Sequence, residues 1–309
     1  MKTGRSPLRF LPALLALAVP MLSLAAEPPP VGGLLGGAKN AGQTAYLEAL
    51  ARQGSAPVPG IPEAILLWPN GAPGAKPDAN GAFTDEDKPA IYAFPAPANN
   101  NTGAAFLILP GGGFTNRVID TEGIQIAKFL NRHGIGGFVL RYRIGATYPD
   151  RATSTLDAQR GMRFIRAHAA EYKVAADRIG AIGFSAGGEL ETNAFYNSIL
   201  EGDPAAADPL DRFTTRANFG VLIYGGRAPI QNPASAPPTF FFATLEDTGG
   251  SGAELPIFNA LRQAGIPTEA HFFQVGPHGT TMSPGDPQLG QWPELVIKWL
   301  KSGGFLTAK

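Results

Sequence analysis

The chain contains no cysteine. That excludes disulfides, thiol catalysis, thiolate metal sites and lipid attachment at an N-terminal cysteine, and it leaves core burial as the source of stability. Charge is also sparse. Charged residues make up 16% of 309, and 25 basic residues balance 25 acidic ones. With no basic excess there is no electrostatic footprint for nucleic acid or an anionic membrane. No internal repeat is visible, and only four histidines are available for chemistry.

The first residues differ in kind from the rest. Lys2, Arg5 and Arg9 precede an apolar run from Phe10 to Leu24, broken by Pro12 and Pro20. The run is too short and too proline-broken for stable membrane insertion. Ser23 and Ala25 supply the small residues of a cleavage site, so residues 1–25 read as a signal peptide and the protein as secreted or periplasmic. Cleavage after Ala25 would leave a small acidic excess.

A hydrophobic content of 44% is that of a globular core. Residues 26–60 are rich in Pro, Gly and Ala and read as a linker or arm, with a short helical stretch at Thr44–Arg52. From residue 61 to 309 short apolar runs alternate with helical patterns, which implies an α/β domain with a mostly parallel central sheet and helices on both faces. The runs are Ala64–Trp68, Ala90–Phe94, Ala104–Leu109, Gly136–Arg141, Arg178–Gly183, Phe219–Tyr224, Thr239–Leu245 and Thr268–Val275. Several are continuously apolar, as strands buried on both faces should be. Helical spacing links Ala158, Met162, Ile165 and Ala169, then Ile257, Leu261 and Ala264 within Glu254–Ala264, and Trp292, Val296 and Leu300 behind Pro293. Gly225–Pro238 is too proline-rich for a good crossover helix.

Gly183-Phe184-Ser185-Ala186-Gly187 stands between a strand and a helical pattern through Asn193–Leu200. In that setting G-x-S-x-G is a nucleophile elbow, with Ser185 raised on a tight turn that small neighbours permit. Leu109-Pro110-Gly111-Gly112-Gly113-Phe114 closes an earlier strand. Its bare glycines can turn Gly112 and Gly113 N–H groups toward an oxyanion, together with the N–H of Ala186. Among the histidines, His133 ends a helical pattern, His168 lies within one and His271 lies inside a strand. His278 follows the last strand in a loop, where the general base falls in the chain order Ser, Asp, His. Asp203, Asp208 and Asp211 lie in a polar loop. Asp247 directly follows an apolar run, at the end of a strand where functional groups collect, with Glu246 as its rival.

These segments together resemble the acetylxylan-esterase-like (bifunctional feruloyl and acetylxylan esterase) group of α/β-hydrolases. The resemblance runs over about residues 64–303. It rests on Leu67-Trp68-Pro69, Gly71-Ala72-Pro73-Gly74, Pro110 to Phe114, Glu122-Gly123, Arg141-Tyr142-Arg143, Asp157 to Arg160, Gly183 to Gly188, Ala260 to Gly265 and His278-Gly279. It implies the α/β-hydrolase fold and ester hydrolysis, often deacetylation of polysaccharide sugars, without metal or organic cofactor. By position it carries Ser185, Asp247 and His278 over as a triad, and Gly112, Gly113 and Ala186 as oxyanion donors. The sequence departs from the group at Glu246-Asp247-Thr248-Gly249-Gly250, at Pro277, and at Glu189, where a histidine is common. Those changes touch the acid loop and the pocket rim, and so bear on substrate more than on reaction class.

The expected partner is a small-molecule or polysaccharide ester, with Phe114 beside the acyl group. Three alternatives stay open: a general carboxylesterase or lipase, which a long apolar cap would favour; a peptidase, for which the chain is short; and an inactive hydrolase fold that binds carbohydrate, which would be marked by loss of the serine or histidine. The one candidate cap, Glu201–Arg216, is polar and proline-interrupted.

Overall fold

The computed structural model describes Met1 and residues 60–306. The expected signal peptide, the arm up to residue 59 and the helical stretch Thr44–Arg52 lie outside the described residues. All eight apolar runs contain strands: β1 Ala64–Leu66, β2 Ala90–Phe94, β3 Ala105–Leu109, β4 Gly136–Arg141, β5 Ile179–Phe184, β6 Gly220–Ile223, β7 Thr239–Thr244 and β8 Thr268–Phe273. They form one sheet in the order β1-β2-β4-β3-β5-β6-β7-β8. β1, β2 and β4 pair antiparallel, and every pairing from β4 through β8 is parallel.

The sequence explains that arrangement. β3, β5, β6 and β7 are buried at every residue, so both faces of the sheet centre must be covered. Helices α1 (Gln125–Arg132) and α5 (Trp292–Ser302) cover one face through Ile126, Leu130, Trp292, Val296 and Leu300. Helices α2 (Arg151–Ala167), α3 (Ala186–Thr192) and α4 (Thr248–Gln263) cover the other through Met162, Ile165, Leu190, Ile257 and Leu261. Asp150 caps α2 by accepting from the Thr153 N–H, and Pro293 sits in the first turn of α5.

Three local expectations need correction. The helix behind the elbow does not run on to Leu200; α3 passes into a single π-turn, Asn193–Asn197, and ends there. His168 lies just past α2, not within it, and its Nδ1 contacts the Phe164 carbonyl. α4 begins at Thr248, six residues before Glu254, because Asp247 caps a glycine-rich first turn that looks like loop in the sequence. Gly225–Pro238 forms no crossover helix, only a 3-10 turn at Pro233–Ser235.

Candidate active site

Parallel pairing brings the carboxyl ends of β3 and β5 through β8 to one edge of the sheet, where all the candidate residues lie. Ser185 follows β5 directly, at φ +50° and ψ −116°, a strained conformation for a residue with a side chain. The turn survives because its neighbours have no Cβ. One added at Gly187 would come within 1.9 Å of the Leu109 carbonyl oxygen, and one at Gly225 within 2.3 Å of the Ser185 carbonyl oxygen. The elbow therefore packs directly against the loops after β3 and β6.

His278 stands in the loop after β8. Its Nε2 lies 2.7 Å from Ser185 Oγ, and its Nδ1 lies 2.7 Å from Asp247 Oδ2. The other carboxylate oxygen of Asp247 accepts the Gly250 N–H at 3.0 Å, so one side chain caps α4 and holds the imidazole. Glu246 points elsewhere: its carboxylate accepts the Gly276 N–H at 3.0 Å and so braces the histidine loop. Asp208 and Asp211 pair with Arg160 and Arg163, away from this group, and Asp203 accepts the Ala205 N–H in its own loop. Of the other histidines, His133 pairs with Glu294 and His271 with Glu269.

The electrostatics of the pair follow from burial and contact. Burial alone would raise the Asp247 carboxyl, but the hydrogen bond and charge of His278 hold it below its ordinary value. Burial alone would lower the His278 imidazole. Asp247, with a smaller push from Glu122, instead raises it above its ordinary value.

Ser185 and His278 open into a pocket of about 280 Å³, lined also by Gly113, Phe114, Arg151, Ala186, Glu189 and Tyr224. Two of the three expected oxyanion donors, Gly113 and Ala186, thus share a wall with the serine. Gly112 stands behind them at φ +125°, its carbonyl accepting the N–H groups of Thr115 and Asn116. Phe114 is held at φ +58°, with the Arg151 guanidinium 3.6 Å over its ring. Glu189 accepts from Arg151 and Arg227, which makes the rim charged, not apolar. Among the described residues no group of three or more His, Asp or Glu side chains is arranged to hold a metal ion.

Comparison with known proteins agrees with this architecture. The BD-FAE family model matches residues 91–205. The crystal structure of an acetyl ester-xyloside bifunctional hydrolase from Caldicellulosiruptor lactoaceticus superposes with a TM-score of 0.71 at 27% identity, covering 81% of this chain and 100% of that one. The acetylxylan esterase of Xylanibacter ruminicola is 30% identical over 142 residues, 46% of this chain and 26% of that protein. The chain has the α/β-hydrolase fold and is similar to acetylxylan esterases. Endo-1,4-beta-xylanase B of Butyrivibrio fibrisolvens also matches, at 26% identity over 57% of this chain and 32% of its own length. The chain therefore spans between a quarter and a third of the curated relatives it matches.

Two side chains of this α/β-hydrolase site escaped the residue-by-residue reading. Tyr224 ends an apolar run and looked like core, yet its ring lies edge-on to His278, with centroids 5.2 Å apart. Glu122 entered only as part of the Glu122-Gly123 match. It is fully buried beneath the glycine loop, where it accepts the Gly111 N–H at 2.7 Å and the Tyr224 O–H at 2.8 Å. A lone acid in a segment with no clear periodicity carries no signal that it will be buried.

Proposed function

We propose that the protein is an exported serine esterase that removes short acyl groups, acetyl foremost, from carbohydrate. The observation that carries this reading is the unbroken relay from Ser185 Oγ through His278 to Asp247, with 2.7 Å at each link. Neutral His278 takes the Ser185 proton as Oγ attacks the ester carbonyl, and Asp247 fixes the tautomer and steadies the imidazolium that forms. Negative charge on the carbonyl oxygen is met by backbone N–H groups of Gly113 and Ala186, with Gly112 as the further candidate donor. The imidazolium then protonates the departing alcohol. Water, activated by the same histidine, releases the acid from Ser185.

The likeness to an acetylxylan esterase and to an acetyl ester-xyloside hydrolase supports an acylated sugar as substrate. So does the small pocket with Arg151 and Glu189 at its rim. A lipase-like groove would gain about 0.8 kcal/mol for each methylene it buries, so its preference would climb with chain length. The basic, apolar and small-residue pattern of residues 1–25 supports export. Among the described residues no helix is long and apolar enough to cross a membrane.

The test is hydrolysis of acetyl, butyryl and octanoyl p-nitrophenyl esters alongside acetate release from acetylated xylo-oligosaccharides. We expect kcat/KM to fall along the ester series and acetate to be released. Ser185→Ala should lower kcat by roughly four to six orders of magnitude. A rate that climbs to octanoyl with no acetate released would favour the lipid-ester reading, and full activity in Ser185→Ala would remove the mechanism.

A further inference from the structure

We propose that Glu122 is a positioning residue of the reaction: its carboxylate ties the glycine loop that faces the oxyanion to the tyrosine that backs the catalytic histidine. The proposal rests on the serine-esterase reading above.

Two segments of the site meet at this one side chain, and a third joins them through Tyr224. Oε2 accepts the N–H of Gly111, the first glycine of the oxyanion loop after β3. Oε1 accepts the O–H of Tyr224, at the end of β6. The Tyr224 oxygen in turn accepts the N–H of Thr281, three residues beyond His278, at 3.2 Å. Tyr224 is held at φ +40°, an unfavourable conformation for an aromatic residue, with its ring against both His278 and Phe184. The fit around Gly111 is tight. A Cβ there would lie 2.8 Å from the Glu122 carboxylate and 3.0 Å from the Ser185 Cβ. A shift of the carboxylate therefore moves the glycine loop against the nucleophile.

The charges around Glu122 give the arrangement an electrostatic side. Tyr224 faces it from β6, Tyr142 from the end of β4, and His278 from its loop. Burial pushes Tyr142 up, so it stays neutral, and its O–H donates to the Pro110 carbonyl; Arg117, Arg151 and Glu189 act on it from farther out. Among the described residues the cation acting on Glu122 is the imidazolium of His278. Burial pushes the Glu122 carboxyl up to about 7, against the pull of Tyr224, Gly111 and His278. Its charge correspondingly helps raise His278. The charge state of each group therefore acts on the protonation of the other. Protonation turns one acceptor oxygen into a donor, and the carboxyl can no longer serve both Tyr224 and Gly111 as it did.

The experiment is the pH dependence of p-nitrophenyl acetate hydrolysis by the full chain, with NMR titration of the His278 imidazole. For the wild type we expect the acid limb of log kcat/KM to rise with a slope above one. Glu122→Gln should show a slope of one, an acid limb and a His278 titration both displaced to lower pH, and a plateau kcat down ~10–100-fold with KM little changed, the scale of a small misplacement near the reacting atoms. Glu122→Asp restores the charge without the reach, so the limb should return while the plateau stays low. If Glu122→Gln does not fold, Tyr224→Phe decides. It removes a donor that favours the ionised carboxylate, so its acid limb should move to higher pH.

A wild-type plateau in Glu122→Gln would overturn the proposal. So would a lowered plateau with the limb and the His278 titration unmoved, because a merely structural role predicts that, and so would an unshifted limb in Tyr224→Phe. If the wild type hydrolyses no ester, the esterase reading falls separately. The NMR titration then still judges the link, and an unchanged His278 in Glu122→Gln would remove it.

Discussion

Buried acids occur in two settings in this molecule. Toward the antiparallel edge, Asp157 on α2 meets Arg143 just beyond β4, both fully buried, and the pairing is saturated. The guanidinium donates to both carboxylate oxygens, the Arg143 N–H donates to Oδ2 at 2.8 Å, and another guanidinium nitrogen reaches the Pro73 carbonyl. Around the elbow, Glu122, Glu191 and Glu254 are equally buried, yet among the described residues no arginine or lysine is prominent in acting on them. Glu254 accepts the Gly225 N–H, Glu191 accepts from Tyr196, and the second oxygen of each meets no hydrogen-bond partner among the described residues. Burial pushes Glu191 and Glu254 well above the usual carboxylate range, which favours their protonated forms. One setting uses charge to fix the scaffold. The other sets no arginine or lysine beside its buried carboxylates among the described residues, which costs stability as pH rises.

The sharpest break should come at the acid. Asp247→Asn preserves an N-cap on α4, since asparagine caps as well as aspartate, but its amide can select the wrong imidazole tautomer. Turnover should fall by about four orders of magnitude with little change in melting temperature. Glu246→Gln, which touches only the histidine loop, should do far less. A crippled Glu246→Gln beside a healthy Asp247→Asn would move the acid by one residue.

Next in size is the paired setting. Arg143→Met strands a buried carboxylate and should cost about 3–5 kcal/mol in urea unfolding, while Arg143→Met with Asp157→Leu recovers most of it. Residual activity per folded molecule should be near wild type, since the pair does not touch the site. Equal losses in the single and double variants would mean that packing, not charge, dominates there.

The smallest effect separates the unpaired setting from it. Glu254 has a higher pKa folded than unfolded, so its contribution to stability is full below about pH 4.3 and is lost as pH rises above that. Glu254→Gln keeps an acceptor for Gly225 and loses the titration. Relative to wild type it should gain up to ~1.4 kcal/mol for each pH unit as pH rises above about 4.3, until the folded carboxyl itself ionises. Parallel stability curves for the two proteins would show that Glu254 is ionised in the fold.

The strands were legible because the sheet centre is buried on both sides, which leaves unbroken apolar runs such as Ala105–Leu109 and Thr239–Thr244. The meeting of Ser185, His278 and Asp247 was legible for a related reason: Ser185 follows its strand directly and the other two lie in the loops just beyond the ends of β7 and β8, so the parallel order brings them to one edge. What the sequence hid depends on context it does not write down. The start of α4 looks like loop because Thr248-Gly249-Gly250 has poor helical propensity, and only the Asp247 cap makes it helical. Tyr224 was absorbed into its strand because an aromatic at a strand end gives no hint that its hydroxyl will be used. Glu122 is buried by tertiary packing alone, and nothing nearby in the chain compensates it.

The double duty of Asp247 limits how this enzyme fold can be improved. The first five positions of α4 include three glycines, each worth about 0.5–1 kcal/mol against alanine in a helix. That makes them obvious targets for hardening the protein. They are not equivalent. A methyl group at Gly250 would land 2.3 Å from the carboxylate oxygen that holds His278, whereas one at Gly252 would meet nothing within 4 Å. Selection for heat resistance can therefore act freely at Gly252, while at Gly250 each gain in helix propensity is set against the carboxylate oxygen in contact with His278. Two positions only two residues apart thus face different evolutionary constraints, one set by folding alone and the other by the contact between Asp247 and His278.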